Sequence, residues 1–110
     1  MTVQVFDYSA FGDLNGDQLP DNAVMLNVST GRTGSFFYIA AALQTNDQLY
    51  QGTNAVLVGD RIAPQNNQIV NEEIVVNYAD RAKGESMDTQ FSVGMTKYYI
   101  YENDVLSEKK

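Results

Sequence analysis

Apolar and polar residues alternate along much of this chain, the mark of strands that bury one face. Val3, Val5 and Tyr8 begin the pattern and lead to Phe11-Gly12. From Asn22 to Ser29, Val24, Leu26 and Val28 fall together on one face. Gly31-Arg32-Thr33-Gly34 reads as a turn, because glycine reaches positive φ without steric cost. Ser35 to Gln44 is apolar on both faces, with Phe37, Ile39, Ala41 and Leu43 on one and Phe36, Tyr38, Ala40 and Ala42 on the other. Such a run is a central strand or a buried helix; the Phe36-Phe37-Tyr38-Ile39 opening and the flanking turns favour the strand.

Asn46-Asp47 is a second turn signal, and Ala55-Val56-Leu57-Val58 a short strand closed by Gly59-Asp60. Ile62 to Gln65 follows as an extended piece whose Pro64 suits a sheet edge or a strand end. Gln68-Ile69-Val70 and Ile74 to Tyr78 read as two arms of a hairpin joined near Asn71-Glu72, with Ile74, Val76 and Tyr78 on its buried face. Asp80 to Asp88 is the one long polar connection. Phe91 to Tyr101 is the longest strand, with Phe91, Val93, Met95, Tyr99 and Tyr101 on one side; Val105-Leu106 is the last. Short alternating strands separated by turns predict an all-β, antiparallel fold: a single sheet, a sandwich or an open barrel of about six to eight strands.

At 110 residues this is one β domain, spanning 1–110 with an acidic loop at 13–21. Its 44 % hydrophobic content argues against disorder. The net charge of −7 repels phosphate backbones, so nucleic acid is not an expected partner. With neither cysteine nor histidine, the chain lacks thiolate and imidazole ligands and the commonest general base. No apolar run approaches the roughly 18–20 residues that a membrane-spanning helix needs. Met1-Thr2-Val3-Gln4 has neither the basic nor the apolar region of a signal peptide, so the expectation is either a cytosolic protein or one whose leader has been removed.

The densest chemistry lies in Asp13-Leu14-Asn15-Gly16-Asp17-Gln18-Leu19-Pro20-Asp21. Asp13, Asn15, Asp17 and Asp21 place side-chain oxygens at relative positions 1, 3, 5 and 9, and the Leu19 carbonyl stands at position 7. A hard cation takes six to eight oxygens at about 2.3–2.6 Å, and Ca²⁺ suits so oxygen-rich a loop better than Mg²⁺. The competing reading is a plain solvated turn, since Asp, Asn and Gly favour turns in their own right. Against it, three carboxylates within nine residues repel one another, and neither Lys nor Arg occurs from Met1 to Gly31. The loop is not an EF-hand: Gln18 and Val24 stand where that loop has Gly and a bidentate Glu. If position 6 takes positive φ, a residue other than glycine there costs on the order of 1 kcal/mol.

Phe11-Gly12-Asp13-Leu14-Asn15-Gly16-Asp17, followed by Asp21-Asn22-Ala23-Val24, resembles the D-x-N-G-D-G-x-x-D loop of FG-GAP-type calcium-binding β repeats. Together with Gly34-Ser35-Phe36-Phe37-Tyr38-Ile39-Ala40 and Val58-Gly59-Asp60-Arg61, it is similar to small bacterial exported or lipoprotein domains of unassigned function. The resemblance implies an extracytoplasmic domain, periplasmic or in the cell envelope, with a cation loop and no assigned activity.

Other candidates are weaker. Asp60-Arg61 reads as a hairpin turn with a surface ion pair. Glu72 and Glu73 cannot share a site within a strand, where adjacent side chains point to opposite faces. Tyr98, Tyr99 and Tyr101 either pack in the core or offer an aromatic face to a glycan or protein partner. Nucleophilic catalysis finds no partner for its Ser and Thr residues. A hydrolase would have to use the loop's metal to activate water within a cleft. The expectation is therefore a non-enzymatic, calcium-stabilised β domain, with a protein- or carbohydrate-binding or inhibitor module as the alternative.

Overall fold

Ser35–Gln44 is the central strand that its two apolar faces predict. The computed structural model describes residues 2–5, 10–29, 35–45, 49–60, 62–80 and 93–109. Tyr8, the 31–34 turn, Asn46-Asp47, Arg61, the connection after Asp80 and Phe91 lie outside them. The described strands are β1 (Thr2–Val5), β2 (Ala10–Gly12), β3 (Asp21–Ser29), β4 (Ser35–Gln44), β5 (Tyr50–Gly52), β6 (Val56–Asp60), β7 (Ala63–Val70), β8 (Glu73–Asp80), β9 (Val93–Glu102) and β10 (Val105–Glu108). All described pairings are antiparallel, and the strands form two sheets in a sandwich-like, all-β fold. Among the described residues no helix is long and apolar enough to cross a membrane.

The larger sheet holds six strands but is only four positions wide. β1 and β2 share one edge of β3, pairing with its far and near ends in turn, and β5 and β6 likewise divide the outer edge of β4. These split edges bring the described strands to ten, where the alternation suggests about six to eight. The second sheet runs β10-β9-β8-β7. Pro64 sits in β7, at the sheet edge where its missing N–H is harmless, beside an irregularity in the pairing. The β7–β8 hairpin turns at Asn71 and Glu72, whose φ values of 53° and 62° match a two-residue turn with both central residues left-handed.

The two sheets share one core. Met25 and Ala23 of β3 and Phe37, Ile39, Ala41 and Leu43 of β4 meet Ile74, Val76, Tyr78, Tyr99 and Leu106 from the second sheet. Each large apolar side chain buried this way contributes roughly 1.5–3 kcal/mol. At one edge β2 lies against β7 so closely that a Cβ on Gly12 would stand 2.9 Å from that of Ile69. At the other, Asn54 exchanges two 2.9 Å hydrogen bonds with the backbone of Leu106, and Lys97 donates to the Val58 carbonyl.

Three details of the alternation come out differently. Val24, Leu26 and Val28 do share a face of β3, but the face turned to the core carries Asp21, Ala23, Met25 and Asn27. Gly59 and Asp60 continue β6, pairing with Phe37 and Phe36, and do not close it. On β9, Tyr99 is fully buried and Tyr101 packs against the core, while Met95 on the same side emerges to solvent.

The Tyr99 hydroxyl is buried with no hydrogen-bond partner among the described residues. Burial, with Glu108 and then Tyr78 adding to it, pushes its pKa above the ordinary tyrosine range. The folded state then keeps a proton that the unfolded chain releases near pH 10, so stability is complete below that pH and falls as the pH rises further. Tyr99→Phe removes both penalties. Chemical denaturation should show a gain of about 1 kcal/mol at neutral pH and a shallower alkaline decline; a loss at neutral pH would mean that the hydroxyl is satisfied.

Candidate metal centre

The acidic loop bridges β2 and β3 and is anchored from within. Leu14, its second residue, is only 2 % exposed and belongs to the shared core. Asp21 ends the loop and begins β3 on the core face, with 0 % exposure. Its Oδ2 accepts the Leu14 N–H at 2.8 Å and its Oδ1 accepts the Gln44 N–H of β4 at 2.9 Å. The aspartate at position 9 is thus a structural bolt as well as a candidate ligand. Sequence reasoning missed Leu14 and Gln44 in these roles; the only local signal was an apolar residue in a polar loop.

The rest of the loop folds on its own side chains. Asp13 accepts the N–H groups of Gly16 and Gln18, each at 2.8 Å, one on each carboxylate oxygen. The Asp17 N–H reaches Asn15 Oδ1 at 3.4 Å, and the Leu19 N–H reaches Asp17 Oδ1 at 2.9 Å. Gly16 has φ 83°, and a Cβ there would also stand 3.0 Å from Glu72 Oε1 of the β7–β8 turn. Gln18 has φ 64°, so position 6 does take the left-handed conformation.

This arrangement gathers carboxylates. Asp13, Asp17 and Asp21 each offer an oxygen, and these oxygens all lie within 4.8 Å of one another. Two oxygens bound to one Ca²⁺ at about 2.4 Å are at most about 4.8 Å apart, so this spacing is within the range that ligands of a single ion show. The group could therefore hold a metal ion. Hydrogen bonding leaves room for it, since each carboxylate oxygen has two lone pairs. Asn15 and Leu19 belong to the same turn, Asn15 exposed and Leu19 half-buried. Unscreened, three negative groups at this spacing repel by roughly 1–3.5 kcal/mol per pair at an effective dielectric of 80 to 20. The inward N–H groups of Leu14, Gly16, Gln18, Leu19 and Gln44 offset part of that.

Beside the loop lies a cavity of about 310 Å³, lined by Leu14 and Asn15, the Asn71–Glu73 turn and Ile100–Glu102 of β9. None of the three clustered aspartates lines it. Glu72 and Glu73 both line this cavity; Glu72 lies over Gly16, while Glu73 forms an ion pair with Lys109. Of the tyrosines, Tyr98 is exposed on the outer face of its sheet, opposite in direction to buried Tyr99. No family model, curated protein or solved structure matches the chain.

Proposed function

We propose that this protein is a non-enzymatic β domain of an exported bacterial protein, in which Ca²⁺ held by the Asp13–Asp21 loop fastens the larger sheet. One observation carries the reading: three carboxylate oxygens lie within 4.8 Å of one another in a stretch, Met1 to Gly31, without Lys or Arg. Asp13, Asp17 and Asp21 supply carboxylate oxygens, and Asn15 and the Leu19 carbonyl complete the protein's share, with water making up the coordination number. Because Asp21 is tied to both β3 and β4, an ion there strengthens the contact between loop, strand and core. Extracytoplasmic calcium is abundant enough to fill a site of modest affinity, which fits an exported domain.

Calorimetric titration tests it. One Ca²⁺ per chain is expected with Kd in the range of extracellular modules, about 10⁻⁴–10⁻³ M. Asp17→Ala removes a carboxylate that accepts the Leu19 N–H in an exposed turn. It should abolish the binding heat while costing less than about 1 kcal/mol in chelator. Retained binding would take Asp17 out of the site.

Gln18 gives a separate prediction. Its φ of 64° is already present in the folded loop, so the strain burdens the fold and not the binding step. Gln18→Gly should therefore raise stability by up to about 1 kcal/mol, equally in chelator and in Ca²⁺. A gain confined to the Ca²⁺ sample would show that the loop changes conformation on binding.

A further inference from the structure

The larger sheet is apolar on both faces, and the second sheet covers only one. The strand register lines up Val5, Leu26, Tyr38 and Leu57 in a single row across all four strand positions of the outer face. Val28 beside Phe36 flanks the row on one side and Val24 beside Ala40 on the other. Phe11, next to Asn22, extends the apolar surface toward the loop end. Leu26, Tyr38, Val24, Val28 and Phe36 are half-buried, while Leu57 is 47 % and Phe11 65 % exposed. Of the charged residues described in these strands, only Asp60, opposite Phe36, stands on this face, at its corner. The second sheet meets solvent in the usual way, with Asn66, Asn77 and Thr96 joined by side-chain hydrogen bonds on its exposed surface.

We propose that a second copy of this chain covers the apolar face, the two larger sheets packing face to face about a two-fold axis. The size is adequate. Four strand positions at about 4.8 Å and about eight residues at about 3.3 Å give roughly 19 by 26 Å, or some 500 Å² in plane per copy. Two copies together reach about 1,000 Å², the lower bound of specific interfaces. The charge distribution also selects this face. Each chain carries −7, so copies repel wherever their charged surfaces meet, and among the described residues only Asp60 brings a charge to this face. A basic partner would be drawn to the acidic surface instead. The apolar row runs across the whole sheet, so a two-fold rotation lays it on its own copy, as an isologous contact requires.

Sedimentation equilibrium tests the proposal. The wild-type chain should show twice the 12.2 kDa chain mass at high concentration, dissociating on dilution. Leu26→Lys places a charge at the centre of the interface and should raise the dimer dissociation constant at least about 30-fold. Tyr98→Lys, on the opposite surface of the molecule, should leave it unchanged. Should Leu26→Lys fail to fold by circular dichroism, Leu57→Lys at the sheet edge replaces it. Since the chain has no cysteine, Tyr38→Cys should cross-link copy to copy under mild oxidation, and Tyr98→Cys should not. A wild-type chain that stays monomeric at every concentration overturns the proposal, including one that binds lipid vesicles through this face. So does a dimer that neither interface lysine weakens.

Discussion

Asp21→Ala is expected to destabilise the protein by about 3–5 kcal/mol in the presence of chelator, the largest effect of any substitution in the loop. The buried carboxylate holds the N–H groups of Leu14 and Gln44, and truncation strands both of them. Each orphaned N–H costs about 1–3 kcal/mol where water cannot reach it, and the lost bonds are charge-assisted. A domain of this size has roughly 5–15 kcal/mol in total, so the variant sits near the edge of folding. Asp13→Ala should cost less, because Gly16 and Gln18, whose N–H groups it holds, are exposed and can turn to water. Asp17→Ala should cost least. Urea denaturation in chelator ranks the three, and all three should lose the response to Ca²⁺. If Asp21→Ala proves as mild as Asp17→Ala, the bolt between loop, β3 and β4 is not what holds the loop in place.

The second large effect is that of the ion itself on the intact chain. Binding to the folded state alone stabilises by RT ln(1 + [Ca²⁺]/Kd), about 1.4 kcal/mol at tenfold and 2.7 kcal/mol at a hundredfold excess over Kd. Stability should therefore climb by about 1.4 kcal/mol for every tenfold rise in Ca²⁺ above Kd, and the slope reports the number of ions bound. Mg²⁺, which demands near-octahedral geometry and gives up water reluctantly, should produce a small fraction of this. A general ionic-strength effect would instead act alike for both cations and level off as screening saturates.

Much of this architecture is legible in the residues, and the exceptions have physical causes. In the Ile74–Tyr78 stretch Ile74, Val76 and Tyr78 mark the core face, and only Val75 on the other face departs from the alternation. β3 is not so marked: Val24, Leu26 and Val28 alternate as well as Ala23 and Met25 do, and only the inward position of Asp21 reveals which side is the core. A face that is apolar yet not covered by the second sheet makes alternation ambiguous at that point. The split edges of the larger sheet depend on register with β3 and β4, which local pattern cannot encode. In the loop, the oxygens at positions 1, 3, 5 and 9 mark Asp13, Asn15, Asp17 and Asp21 directly, and position 6 foretells the left-handed Gln18. The partner of Asp21 lies 23 residues further along, at Gln44; a contact from a backbone N–H leaves no trace in the sequence. Leu14 is legible only in hindsight, since Leu19 is an equally apolar residue of the same polar loop and is only half-buried.

The most direct test of the calcium-stabilised reading is a thermal melt of the wild-type chain in chelator, in millimolar Ca²⁺ and in millimolar Mg²⁺. A rise of about 2–6 °C in 1 mM Ca²⁺ is expected from about 0.4–1.4 kcal/mol at a Kd of about 10⁻³–10⁻⁴ M in a domain of this length, with little change in Mg²⁺ and none in the Asp17→Ala variant. Superimposable melts in all three solutions would contradict it and leave Asp13 to Asp21 as an acidic turn held by its own backbone N–H groups.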